Sequence, residues 1–188
     1  MATIEPAGPP PRLVAVGAGR MGRGIAIAFA WAGHRIAVVD LKRRSAAEWQ
    51  ALRADARAEI DASLKSLAEL GAVDRARIDA IAARIDFIDA AGATAALAAA
   101  ELVFEGVPER LDAKREAFAQ LGAECTADAI LTSTTSSILV TELAAHVARP
   151  ERFLNMHWLN PAYVIPVVEL STHPATSAAA LATTKALL

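Results

Sequence analysis

The stretch Leu13-Val14-Ala15-Val16-Gly17-Ala18-Gly19-Arg20-Met21-Gly22 decides the fold. Its four leading apolar residues read as a strand buried on both faces of a parallel sheet. The glycines that follow match G-x-G-x-x-G, and each has its own task. Gly17 permits a tight turn, Gly19 lets backbone approach a pyrophosphate, and Gly22 lets the next helix pack close to the strand. Such a helix start offers unpaired N–H groups and positive dipole potential to phosphate. The turn runs through Gly24, and Ile25 to Trp31 continues as the helix. Gly33 closes it with a positive φ, and Arg35-Ile36-Ala37-Val38-Val39 reads as a second strand. That strand ends at Asp40, 18 residues after Gly22. A carboxylate there accepts hydrogen bonds from an adenosine ribose and repels a 2′-phosphate. The unit predicts a dinucleotide site and favours NAD over NADP. Lys42, Arg43 and Arg44 would argue for the 2′-phosphate if they reached it; they read first as solvated charges at a helix start.

Downstream, Ser45 to about Leu70 is Ala-rich and charged at helical spacing, with Leu52, Ile60, Leu64 and Leu67 as an apolar stripe and Gly71 as the stop. Asp74 is placed to cap a further helix running to about Arg84. These two helices either project as a helical arm or pack on the sheet, and the sequence leaves both open. Ile85–Ile88, Glu101–Glu105, Ala129–Ser133, Phe153–Met156 and Ile165–Leu170 read as strands. Helices are expected over Leu111–Leu121, Ile138–Val147 and Ser177–Leu188. The alternation predicts an α/β domain of Rossmann type, a doubly wound and mostly parallel sheet.

Composition narrows the partners. The 188 residues are 54% hydrophobic, enough for a sizeable core. Nineteen basic and 21 acidic side chains leave a net charge of −2, so counterion-release binding to nucleic acid has little support. Aromatics make up only 5%, which argues against a stacking platform for single strands. Cys125 is the single cysteine; it forms no intrachain disulfide and reads as a small packing residue. Residues 1–11 carry Pro6, Pro9, Pro10 and Pro11 and read as a flexible tail rather than a secretion signal. No apolar segment is long and charge-free enough to span a membrane. The expectation is a soluble, cytoplasmic protein that acts on a small molecule.

Three polar features invite chemistry: Thr134-Thr135-Ser136-Ser137, His157 and Glu169. His157 follows the strand Phe153–Met156, and an imidazole suits removal of an alcohol proton because it titrates near neutrality. Alone, it would read as a structural histidine, and Ser136 and Ser137 as a helix cap. His146 and His173 have no comparable setting, and no metal site is expected.

Taken together, G-A-G-R-M-G-R-G-I-A, F-E-G-V-P-E-R-L-D-A-K, T-S-S-I, H-W-L-N-P and V-V-E-L resemble the L-3-hydroxyacyl-CoA dehydrogenase family. The resemblance runs from roughly Arg12 to Leu188, with the motifs in order. It implies NAD-linked oxidation of a 3-hydroxyacyl-CoA to the ketone, or the reverse. On that resemblance His157 is the general base, Glu169 its charge-stabilising partner, and Ser136 the holder of the substrate oxygen. Asn160 lies beside substrate and nicotinamide. Glu109 and Lys114 match cofactor-side positions, as Arg20 and Met21 do within the glycine turn, and Ser63 matches a coenzyme A contact.

The sequence departs from the family pattern at Thr134, where Asn is usual, at Trp158-Leu159 for Phe-Phe, at Ala162-Tyr163 for Val-Pro, and at Leu70, where a basic residue is common. Dehydrogenases of free hydroxy acids such as carnitine or gulonate therefore stay open, as does a non-catalytic, crystallin-like nucleotide-binding protein. A hydroxyisobutyrate-type enzyme with a lysine base is opposed by H-W-L-N-P. The expected organisation is a tail over 1–11, an NAD-binding domain over 12–172, and over 173–188 the start of a helix leading to an absent helical C-terminal domain. In the family that domain supplies the homodimer interface. A fragment of this kind is expected to bind NAD and turn over poorly, since half a cleft neither excludes water nor positions substrate.

Overall fold

The computed structural model describes residues 12–188; the tail expected over 1–11 lies outside them. In chain order the elements are β1 (Leu13–Val16), α1 (Arg20–Trp31), β2 (Ile36–Val39), α2 (Ala46–Glu69), α3 (Ile78–Ala82), β3 (Ile85–Ile88), α4 (Ala93–Ala98), β4 (Leu102–Glu105), α5 (Leu111–Glu124), β5 (Ile130–Ser133), α6 (Val140–Ala144), β6 (Phe153–Trp158), β7 (Val168–Ser171) and α7 (Ala178–Leu187). The sheet runs β3-β2-β1-β4-β5-β6-β7. Its first six strands are parallel, and β7 closes the edge antiparallel to β6. This is the Rossmann-type, doubly wound sheet expected.

β1, β4 and β5 are buried at every position, because helices cover both faces of a sheet joined by right-handed crossovers. One face packs Ile25 and Phe29 of α1 against Phe104, Met156 and Trp158. The other packs Phe118 and Leu121 of α5 against Val103, Leu131 and Phe153. Phe118 and Phe153 meet edge to face, with centroids 5.2 Å apart. Burying each such ring contributes roughly 1.5–3 kcal/mol.

The two helices whose arrangement the sequence left open are α2 and α3. They lie against the first layer: Ala56, Ile60, Leu64 and Leu67 are buried, and the last three join Ile78, Ile81 and the α1 residues Ile27 and Ala30 in one cluster. Asp74 accepts the Ala76 N–H at 2.9 Å and caps the turn that leads into α3. Gly33 and Gly71 both adopt positive φ, +104° and +75°.

Four boundaries differ from expectation. α1 begins at Arg20 rather than Ile25, inside the glycine run, since Gly22 and Gly24 are buried helical positions there. α6 covers only the middle of Ile138–Val147; beyond it the His146 and Val147 amides turn back to Leu143 and Ala144, tightening the chain out of the helix. β6 continues through Trp158, so His157 lies in the strand rather than after it. β7 starts at Val168, because Pro166 has no N–H for a ladder and the Val164 and Ile165 amides bond to the Pro161 carbonyl instead. α4 was not expected, since its Ala-rich stretch has too few large apolar residues to show a period. Among the described residues no helix is long and apolar enough to cross a membrane.

Candidate active site

The sheet order reverses between β1 and β4, and ligands of open α/β sheets bind beyond the carboxyl ends of the strands at that point. Gly17 leaves β1 with φ +100°, and a Cβ on it would stand 2.8 Å from the Gly106 carbonyl oxygen. At Gly22 a Cβ would stand 2.0 Å from the Gly17 carbonyl oxygen, so only glycine lets α1 approach the turn. Gly19 differs: no atom outside its chain neighbours lies within 4 Å of where its Cβ would be. It N-caps α1 without a side-chain hydrogen bond, and no acidic residue stands in the first turn. The first amides of a 12-residue helix are thus left for an external anion. A cleft of about 680 Å³ lies there, lined by Gly17, Ala18, Gly19, Asp40 and Val107 among others. Open space at Gly19, free amides and a carboxylate at the end of β2 fit the diphosphate and adenosine ribose of a dinucleotide.

A second cleft, of about 380 Å³, is lined by Met21, Glu109, Ser136, His157 and Asn160. Gly106 and Val107 line both clefts, so the end of β4 is the crossing point between them. Alternation along β6 sends Leu154, Met156 and Trp158 into the α1 layer; His157 therefore shares the opposite face with Phe153 and Asn155. The antiparallel register sets His157 directly across from Glu169, and Nδ1 stands 2.7 Å from the Glu169 Oε2. A carboxylate on Nδ1 favours the tautomer with its N–H there, leaving Nε2 as the proton acceptor.

Below the clefts runs a buried network. Lys114 and Glu105 are both fully enclosed, and Nζ donates to the two Glu105 carboxylate oxygens at 3.0 Å each. Glu105 also accepts the Val107 N–H at 2.8 Å and the Ser133 hydroxyl at 2.6 Å. Lys114 reaches on to the Glu109 Oε2 at 3.3 Å. The other oxygen of Glu109 gathers the β5–α6 loop: it accepts the Thr135 hydroxyl, the Ser136 N–H at 3.0 Å, and the Ser137 N–H and hydroxyl at 3.2 and 2.9 Å. Burial pushes the Glu109 carboxyl up, but the Thr135 hydroxyl, the Lys114 charge and the Ser137 hydroxyl together outweigh it and hold the group down at about 2. Glu109 is therefore ionised at neutral pH and fixes the backbone that presents Ser136.

Residues 12–188 match the family described as "3-hydroxyacyl-CoA dehydrogenase, NAD binding domain". The chain belongs to that family. It is similar to the 3-hydroxyadipyl-CoA dehydrogenase of Escherichia coli, 36% identical over 87% of this chain and 32% of the relative. It is also similar to the 5-formyl-3-hydroxy-2-methylpyridine 4-carboxylate 5-dehydrogenase of Mesorhizobium japonicum, 33% identical over 92% of this chain and 52% of that protein. Among solved structures, the (S)-3-hydroxybutyryl-CoA dehydrogenase of Ralstonia eutropha superposes with a TM-score of 0.80 at 34% identity, over 94% of this chain and 59% of that one. The chain thus spans between a third and somewhat over half the length of these relatives. It forms the NAD-binding domain of a dehydrogenase family, and its coenzyme is NAD.

Within this NAD-binding domain the expected site residues separate into groups. Gly17, Gly19 and Asp40 line the first cleft, with Gly22 packed beneath it. Met21, Glu109, Ser136, His157 and Asn160 converge on the second. Arg20 lines a third, small cleft of about 180 Å³ with Arg23, Ser63 and Asn160. Lys114, expected beside the coenzyme, is enclosed instead and holds the two carboxylates in place. Ser63 accepts a hydrogen bond from the Tyr163 hydroxyl at 3.0 Å, so the arm is tied to the loop after Asn160. Cys125 is buried, which pushes its thiol up to about 11 and fits the packing role. His173 bonds the Pro150 carbonyl through Nε2 at 2.9 Å, a structural contact. Glu105 was missed; its sequence signal is a lone carboxylate ending the apolar run Leu102-Val103-Phe104. Arg44, read as solvated, lies against Asp40.

Proposed function

We propose that this domain serves the reversible oxidation of a 3-hydroxyacyl-CoA to its 3-ketoacyl-CoA. The observation that carries the reading is the His157–Glu169 pair, whose imidazole lines the same cleft as Ser136 and Asn160, next to the crossing point at Gly106 and Val107. When bound, NAD supplies the hydride acceptor. The chain's own residues handle the proton. As hydride leaves the substrate carbon, the hydroxyl becomes acidic, and His157 Nε2 accepts its proton. Glu169 stabilises the imidazolium that results. Ser136 hydrogen-bonds the substrate oxygen, on a loop that Glu109 keeps from moving. Placing the base where charge develops favours the transition state over bound substrate.

The coenzyme A moiety is supported by the relatives named for acyl-CoA substrates. One contact favours a second reading: the Ser63 hydroxyl is engaged by Tyr163, and a relative of similar identity is named for a free pyridine carboxylate. The discriminating assay follows NADH absorbance with the intact protein against acetoacetyl-CoA and free 3-keto acids. The expected result is turnover of acetoacetyl-CoA, lowered about 10²- to 10⁴-fold in kcat by His157→Gln, with NADH affinity unchanged. A His157→Gln variant as active as the parent would remove the imidazole from the mechanism. Turnover of free keto acids alone would move the substrate class to the second reading.

A further inference from the structure

Asp40, the residue that would tell NAD from NADP, is already engaged. Its buried carboxylate accepts the Lys42 N–H on Oδ1 at 3.3 Å and pairs through Oδ2 with the Arg44 Nε. A carboxylate rejects a 2′-phosphate by its uncompensated charge; here a guanidinium sits directly against that charge. Arg44 bound through Nε keeps its terminal amino groups as donors, in the planar fork that suits phosphate. It also stands on a boundary: Arg44 and Lys42 line the coenzyme cleft and a neighbouring one of about 600 Å³, which adds Arg43, Trp49, Gln50 and Asp89. The ribose edge of the coenzyme cleft thus opens onto three cations. The nearby carboxylates are engaged elsewhere, Glu48 with the Ser45 N–H and hydroxyl and Asp89 with the Gly92 N–H.

We infer that Arg44 relaxes coenzyme discrimination, so that the NAD cleft also accepts a 2′-phosphorylated dinucleotide, with Lys42 and Arg43 adding to the attraction. This goes beyond the redox reading and is independent of the substrate; it rests only on the coenzyme cleft.

The test is equilibrium titration of the intact protein with NADH and NADPH, followed by fluorescence and calorimetry. NADPH should bind within about tenfold of NADH, and its affinity should fall more steeply with salt because it carries the extra charge. Arg44→Gln should lower the ratio of NADPH affinity to NADH affinity more than about tenfold, since the 2′-phosphate loses its cation and Asp40 is released to the ribose hydroxyls. Arg44→Lys, which keeps the charge and loses the fork, should fall between the two. NADPH binding more than about a hundredfold weaker than NADH to the parent protein would overturn the inference without any variant. Equal weakening of both coenzymes by Arg44→Gln would overturn it too. If neither coenzyme binds, the coenzyme cleft itself is wrong and the inference falls with it.

Discussion

Helices α1 and α2 both start at the carboxyl edge of the sheet, one after β1 and one after β2, yet they treat their first amides in opposite ways. α2 closes itself: Ser45 and Glu48 form a reciprocal capping box, which satisfies donors that a helix otherwise leaves free. α1 has Gly19 as its cap, no side-chain acceptor and no acidic residue in its first turn. A third group of amides, those of Ser136 and Ser137, is satisfied by the Glu109 carboxylate arriving from another loop. The difference teaches where this domain is finished and where it waits. Side chains of the chain itself complete the second and third sets of amides, and the first set is left open to an anion from outside.

The comparison breaks most sharply at Gly22. A Cβ there would sit 2.0 Å from the Gly17 carbonyl oxygen, and the clash is with backbone, so no rotamer change relieves it. Gly22→Ala must move α1 off the turn, at a cost of about 3 kcal/mol, which corresponds to about a hundredfold in coenzyme affinity if the strain falls on the amides. Thermal melting together with NADH titration measures both effects. A variant with parental affinity and melting temperature would show that the turn does not depend on that close approach.

These same positions show what a sequence can and cannot reveal. The glycine turn is local: strand, turn and helix are contiguous, and each glycine's reason lies within a few residues of it. The position of Asp40 follows from the length of one helix and one strand. Its partnership with Arg44 does not, because the path between them is an aperiodic loop. His157 and Glu169 are 12 residues apart, joined through Pro161 and Pro166, and their pairing exists only in the register of β6 against β7. Residue chemistry could nominate them, and only the family resemblance paired them. Glu105 and Lys114 were harder still, since a lysine with both carboxylates in reach looks in sequence like any exposed charge on a helix. The expected α6 was too long because apolar content alone does not show that the amides after Ala144 turn back early.

Glu109 sharpens the comparison at intermediate strength, because its carboxylate gives Ser136 and Ser137 the acceptor that the start of α1 lacks. Glu109→Gln keeps an acceptor oxygen but removes the charge that faces Lys114. With the side chain 37% exposed, solvent screening limits the loss to about 1 kcal/mol, or roughly 2–4 °C in melting temperature for a domain of this size. The sign of the pH dependence follows from the depressed carboxyl, ordinarily 4.5 and here about 2. The contribution is complete above about 4.5 and is lost as pH falls toward and through about 2. The gap in melting temperature between parent and variant should therefore hold steady from pH 7 to 5, then narrow below 4.5. A gap that widened on acidification would contradict the clamp.

The smallest effect belongs to the finished helix start. In the capping box the Ser45 hydroxyl accepts the Glu48 N–H at 3.3 Å, and the Glu48 carboxylate returns to the Ser45 N–H at 2.8 Å. Ser45→Ala removes the first bond, together with the hydroxyl's own donation to the Glu48 carboxylate, and leaves the second, so the loss should be about 1 kcal/mol, with Ser45→Gly costing only a few tenths. Because those amides are already satisfied from within, the effect should appear in thermal stability and leave NADH affinity within about twofold. If Ser45→Ala instead weakened NADH as strongly as it lowered the melting temperature, the start of α2 would belong to the coenzyme cleft, and the contrast between a closed helix and an open one would fail.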